Sequence, residues 1–349
     1  MVSDVNWQPP VFVVGASRSG TAMMRSILMQ DPSVSLAGET HYFDDLRPRY
    51  MNQRVSKMNQ DDRDKCADYF RAISVRPYGM HGNPEDSWFT REELLSDAAE
   101  IGDNTDSLFE AYCKKVAMRD NATIWGEKTP RHVFRVDDIF ALYPQAKVIC
   151  MVRDPRAVVA SYRDWRTGEE NLDTGGQLDK ERVRASYNIV LASLLWRAAA
   201  NASLQALNRH GEDRVRIVRY ENVIDSPEET VRDVAQWLGL EYSSELLSVP
   251  LHNSSTMAFD REAGISKTPQ NRWREVLSER EIGVIQKTAG QSLIETGFVL
   301  ENVKTSALDV PLAYAALPFS LLKAVRANKD RFGSLPRYAM RRLKAVLNI

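Results

Sequence analysis

The chain has 349 residues, of which 43% are hydrophobic and 27% charged, with a formal net charge of -1. This is the composition of an ordinary globular protein, long enough for one large domain or two smaller ones. Near-neutrality excludes a nucleic-acid binder held by a global basic field, so any anion site must be a local cluster. Cys66, Cys113 and Cys150 lie far apart. They offer neither a zinc motif nor a disulfide framework, and they favour a reducing compartment. No basic-then-apolar leader opens the sequence, and no run reaches the ~18 apolar residues of a membrane span, so the expectation is a cytoplasmic protein.

In chain order, "VFVVG" (11–15) reads as a strand, followed by a glycine loop and a helix over about 19–30 that stops at Asp31-Pro32. A second strand-like stretch, "VSLAG" (34–38), ends at Glu39. Residues 45–120 have a polar, mostly helical pattern and read as an insertion covering one mouth of the sheet. "ATIWGEKTP" (122–130) is strand-to-loop, and Pro130 can open a helix. "AKVICMVRDP" (146–155) has the continuous apolar run of a buried parallel strand, with a helix starting at Pro155. A polar loop (167–180), a long helix (about 181–209), the strand "RVRIVRY" (214–220) and a helix from Ser226 follow. Alternating strands and helices predict an α/β fold: three layers, P-loop-like, with a central, mainly parallel sheet flanked by helices. The expected organisation is one domain over 1–304 and a basic helical extension over 305–349.

Two segments carry the chemistry. In "VVGASRSGTAMMRSIL", the residues Arg18, Ser19, Gly20, Thr21 and Ala22 form a turn at a helix N-terminus. Such a turn offers backbone N–H groups and a favourable dipole to an anion. A Walker loop would place lysine after the second glycine; here Thr21 and Ala22 stand instead, which counts against a P-loop kinase. In "VRDPRAVVASY", Arg153 ends a strand and Ser161 lies about two helical turns on, a pair suited to a second phosphate away from the first loop. Two anion sites on one sheet suit a nucleotide phosphorylated at both ends of its ribose. A noncatalytic nucleotide-binding module would keep both loops and need no base.

The first loop resembles the 5′-phosphosulfate loop of the sulfotransferase superfamily, and "VICMVRDPRAVVASY" resembles its 3′-phosphate motif. "AGETHYFDD", "GEKTPRH", "RYENVIDSPEETVRDVAQWLGL" and "ISKTPQNRW" are similar to segments of bacterial, tyrosylprotein and heparan sulfotransferases, in family order. The resemblance implies 3′-phosphoadenosine 5′-phosphosulfate (PAPS) as sulfuryl donor, adenosine 3′,5′-bisphosphate (PAP) as product, and no required metal. It implies Glu39 as catalytic base, with His41 the competing base and His132 a weaker one. Lys128 and Arg18 are implied at the leaving group. Arg153, Ser161 and Tyr220 would hold the nucleotide, with Ser266, Lys267 and Arg272 in a late closing loop. His41 and Tyr42 are the candidates for acceptor contact. Glu127 and Asp154 read as structural acids, and Trp273 as a packing anchor. The mixed charge of 45–120 favours a small-molecule or carbohydrate acceptor, protein tyrosine being the alternative. The tail's basic helical pattern fits docking on the domain, a homodimer contact, or a peripheral membrane contact.

Overall fold

The computed structural model describes residues 5–51, 53–75, 82–167, 187–249 and 271–327. Its strands are β1 (Val11–Gly15), β2 (Val34–Ala37), β3 (Ile124–Lys128), β4 (Lys147–Val152) and β5 (Val215–Arg219). Among the described residues they form one sheet in the order β2-β3-β1-β4-β5, and every neighbouring pair is parallel. The helices used below are α1 (Thr21–Leu28), α2 (Gln60–Val75), α3 (Arg91–Ile101), α4 (Thr105–Arg119), α5 (Val136–Leu142), α6 (Pro155–Thr167), α7 (Ile189–His210), α8 (Tyr220–Asp225), α9 (Pro227–Leu238), α10 (Glu279–Ala289), α11 (Asp309–Ala315) and α12 (Leu317–Ala327).

Local chemistry explains many of these boundaries. Asn104, Asn188 and Ser278 accept the N–H groups of Ser107, Leu191 and Glu281 at the starts of α4, α7 and α10. Thr90 with Glu93, and Ser278 with Glu281, close reciprocal capping boxes. Pro155 and Pro227 occupy first-turn positions, where a missing N–H costs nothing. The helix after the glycine turn starts at Thr21, so Ser19 and Gly20 stay in the turn. Tyr220, expected to end a strand, opens α8 instead.

Alternate residues of β1 face opposite layers. Phe12 and Val14 join Trp125, Val148 and Cys150 against α2, α3 and α4, which contribute Phe70, Leu94 and Phe109. Val11 and Val13 join Ile149 and Met151 against Met24 and Ile27 of α1 and Val231 and Val234 of α9. Helices thus cover both faces of the sheet, the arrangement a parallel sheet requires. The helices of 45–120 pack on the first of these faces together with α5 and α7, and contribute Phe70, Leu94, Phe109 and Tyr112 to its core.

This layer corrects one expectation. Tyr42 is fully buried, stacked on Phe109 at 4.7 Å, with its hydroxyl donating to Asp106 (2.6 Å). Burial, then the Asp106 charge, pushes its pKa up. Tyr42 is therefore a core residue with a satisfied polar tip, and it cannot reach an acceptor without unpacking the aromatic cluster. Tyr42→Phe should cost about 1–2 kcal/mol in chemical denaturation, by loss of a hydrogen bond to a charged group, while leaving the acceptor KM unchanged.

Candidate active site at the carboxyl edge of the sheet

Strand register decides which side chains meet. Val13 pairs with Lys128 and Ala37 with Glu127, so Glu39, two residues past its strand, arrives beside the end of β3. Lys128 Nζ donates to Glu39 Oε1 at 2.5 Å, and His41 Nε2 lies 3.3 Å from Glu39 Oε2. Lys128 and His41 are buried, whereas the Glu39 side chain is 34% exposed. Burial is the largest single influence on Glu39 and opposes its ionisation. The hydrogen bond with His41 and the charge and hydrogen bond of Lys128 together outweigh it, bringing Glu39 from 4.5 down to about 2. His41 is thus Glu39's hydrogen-bond partner.

The loop carrying Glu39 is pinned from beneath. Thr129 Oγ1 accepts the N–H of Thr40 at 3.1 Å, and the Thr40 hydroxyl donates to Glu127. Glu127 also faces His132 Nδ1, and both residues are buried. Tyr69 donates to the Thr40 carbonyl at 2.5 Å. These contacts hold His41 at φ 51°, a left-handed conformation that costs a residue with a side chain roughly 1–2 kcal/mol.

Arg18 is strained in the same way, at φ 72°. It lies in the glycine turn, where Gly20 at φ 87° packs under Tyr220; a Cβ there would sit 2.5 Å from the Tyr220 ring. Gly20 must therefore lack a side chain. Among the described residues no side chain caps α1 and the buried Ser19 hydroxyl has no hydrogen-bond partner, and no acid stands in the helix's first turn. The first N–H groups of the helix, including those of Thr21 and Ala22, have no intrahelical acceptor either.

The second loop is fixed by its own set of contacts. Trp196 Nε1 donates to the Arg153 carbonyl at 2.8 Å, and the Asp154 N–H donates to Glu221 at 3.0 Å. Arg156 grips Asp154 and stacks over Trp273, bearing out the structural reading of Asp154 and Trp273. The Arg153 guanidinium lies over the Tyr220 ring at 4.2 Å.

The two anion loops are joined, which corrects the expectation that they stand apart. Arg18 Nε donates to Ser161 Oγ at 3.1 Å, and Arg153 Nη1 donates to the Arg18 carbonyl at 3.2 Å. The reason is topological: β1 and β4 are neighbours, with Gly15 opposite Met151, so both loops leave one edge. Burial lowers the Arg18 pKa; Tyr162 and Glu39 counter it, and Arg153 adds to it. Arg18 thus feels Arg153 on one side and Glu39 on the other. The connections from β1 and β4 run to opposite ends of the sheet, making this the switch point where open α/β sheets place ligands.

The profile of the sulfotransferase family matches residues 9–244, which span every strand and loop described above. The chain belongs to the sulfotransferase family. A Caenorhabditis briggsae protein described as a protein-tyrosine sulfotransferase is 24% identical over 284 residues, covering 78% of this chain and 84% of the relative. Nodulation protein NoeE of Sinorhizobium fredii is 24% identical over 316 residues, covering 85% of this chain and 68% of the relative. The sulfotransferase domain of the Synechococcus PCC 7002 olefin synthase superposes with a TM-score of 0.55 at 18% identity, over 85% of this chain and 97% of that one, and supports the fold.

In this sulfotransferase, Glu39, His41, Lys128, Arg18, Ser161, Arg153 and Tyr220 form one contiguous group. Arg272 directly precedes the short Trp273–Val276 helix; Ser266 and Lys267 lie outside the described residues. Among the described residues no group of three His, Cys, Asp or Glu side chains could hold a metal ion. Sequence reasoning missed Thr40, Thr129, Trp196 and Glu221, whose work is to orient the loops. Only the placement of Thr40 and Thr129 directly after Glu39 and Lys128 hinted at it.

Two outcomes follow from this geometry. Thr40→Val should destabilise the protein by about 1–3 kcal/mol in chemical denaturation, because the buried Glu127 carboxylate loses its donor, whereas Thr40→Ser should lose less than half as much. Glu39's folded value lies below 4.5, so its contribution to stability is fully present above about pH 4.5 and is lost as the pH falls through 2. Lys128→Met should reduce this acid-side loss in pH-dependent denaturation.

Proposed function

We propose that this sulfotransferase moves the sulfuryl group of PAPS to a hydroxyl of a small-molecule or carbohydrate acceptor by in-line displacement, releasing PAP. The observation that carries the reading is Arg18. It links the glycine turn, the Arg153–Ser161 loop and the Glu39 side in one cluster of donors. The orphan Ser19 hydroxyl, the uncapped start of α1 and the side-chain-free surface at Gly20 fit an anionic group. Relatives named for protein tyrosine and for omega-hydroxy-beta-dihydromenaquinone-9 frame the acceptor class, since both present a hydroxyl.

PAPS supplies an activated sulfuryl group with a phosphate leaving group; the chain supplies position and charge. Arg18, Ser19 and the N–H groups of Gly20, Thr21 and Ala22 hold the 5′ end. Arg153 and Ser161 hold the 3′-phosphate, with Tyr220 stacked beneath Arg153. Ser266, Lys267 and Arg272 are the further residues assigned to nucleotide contact. Lys128 places its ammonium where negative charge grows on the bridging oxygen. Glu39 accepts the acceptor's proton, with His41 lining the acceptor side.

A carboxylate held at about 2 is a poor base, so the resting pair must change before Glu39 can act. Lys128 is shared between two anions in this reading. As its ammonium turns toward the donor, Glu39 keeps the His41 hydrogen bond but loses the charge and hydrogen bond of Lys128, which lets its pKa rise. The Glu39–Lys128 contact then keeps the base silent until the donor is in place.

An acceptor screen with PAPS, read as PAP release with ATP and GTP as controls, tests the activity. Glu39→Gln should lower turnover by ~10²–10⁴-fold, and His41→Ala by much less. Lys128→Ala should lower turnover by ~10²–10³-fold with a smaller change in donor affinity. Full activity in Glu39→Gln, or a Lys128→Ala defect confined to donor affinity, contradicts the assigned roles.

A further inference from the structure

The helices that follow the catalytic layers are apolar on two opposite faces. One face docks: Val310, Ala313 and Leu317 pack against Val190, Leu194 and Val284 of α7 and α10, and Asn188 donates to Ser320 at 3.0 Å. The other does not. Phe319 is 75% exposed, and Leu308, Leu312 and Leu322 are each more than half exposed. These four recur at i, i+4, i+11 and i+14, the spacing of one stripe along α11 and α12. Helical bonding spans the junction at Ala316, because backbone bonds run from Leu312 N–H to the Leu308 carbonyl, from Ala316 to Leu312 and from Ser320 to Ala316. Docking on the domain thus accounts for half of the apolar surface and leaves the other half in water.

The charge around the stripe identifies its occupant. Arg326 falls on the same face, and Lys323 is exposed beside it. Residues 323–349 carry eight Lys or Arg and one acid, Asp330, a net of +7 in a chain whose total is -1. A second copy meeting this face about a two-fold axis would place Lys323 and Arg326 of both copies in one interface, and like charges repel. A surface that is apolar in the middle and negative at the rim matches both features. We propose that α11 and α12 seat this sulfotransferase on an anionic phospholipid bilayer, with Leu312, Phe319 and Leu322 entering the acyl boundary and Lys323 and Arg326 at the headgroups. No helix among the described residues is long and apolar enough to cross a membrane, so the helices lie on the surface. The inference is independent of the acceptor.

The test uses the full chain and vesicles of phosphatidylcholine with or without about one-third phosphatidylserine, the range in which basic segments respond to surface charge. Wild-type protein should co-sediment with the anionic vesicles and be released by raised salt. The triple variant Leu312→Ser, Phe319→Ser, Leu322→Ser should bind at least about tenfold more weakly, since three apolar side chains no longer leave water. Lys323→Glu with Arg326→Glu should also weaken binding and flatten its salt dependence. All five side chains face solvent, so circular dichroism and melting temperature should match wild type. Wild-type protein that ignores anionic vesicles, or a triple variant that binds as wild type does, overturns the proposal. A wild-type dimer in light scattering that the triple variant converts to monomer would also overturn it, giving the face to a second copy.

Discussion

Arg18 holds a backbone conformation that side chains resist, and the rest of the site is built around keeping it there. Its φ of 72° is maintained by Arg153, which takes the Arg18 carbonyl, and by Ser161, which takes its Nε. Those contacts come from the loop after β4, and that loop is positioned by Trp196 and Glu221 on two further elements. The small cost of one strained residue thus fixes the relation between two loops far apart in sequence. An anion arriving at this edge meets donors that are already oriented, so little rearrangement is needed on binding.

The opposite side of the site shows the same economy with charges of the other sign. β3 ends in Glu127-Lys128, with Thr129 directly after it, and neighbouring residues do different work. Glu127 points inward to Thr40 and His132 and holds the loop; Lys128 points to Glu39. A buried carboxylate next to a buried lysine would be costly if either stood alone. Paired with Thr40 on one side and Glu39 on the other, both are kept in place. The sulfotransferase reading makes use of this balance, because a lysine able to serve two anions can couple donor arrival to the freeing of the base.

Much of the sheet was legible from the residues. The runs 11–15 and 148–152 are continuously apolar, and 215–219 carries Val215, Ile217 and Val218 between arginines; each is a parallel strand. Gly15, Gly20 and the missing lysine after Gly20 marked an anion loop without Walker chemistry. Register was not legible, since hydrophobic pattern says which residues are strands but not which strand end lies beside which. The contact between Arg18 and Ser161 therefore emerged only with the structure. Tyr42 misled for a related reason. "ETHYFDD" sets two aromatics among polar residues, and nothing local shows that Asp106, 64 positions away, satisfies the tyrosine hydroxyl. The 45–120 segment is polar in composition, yet Phe70, Phe89, Phe109 and Tyr112 pack into the core on one face of the sheet.

The central claim is that Arg18, Arg153 and Ser161 form a single grip for a nucleotide carrying phosphate on both its 5′ and 3′ positions. Isothermal calorimetry comparing PAP with AMP measures it directly. The account predicts that PAP binds at least about a hundredfold more tightly, as expected of a charge-assisted, hydrogen-bonded phosphate, and that Arg153→Ala abolishes most of this preference. Equal affinity for the two nucleotides in the wild-type protein would contradict it.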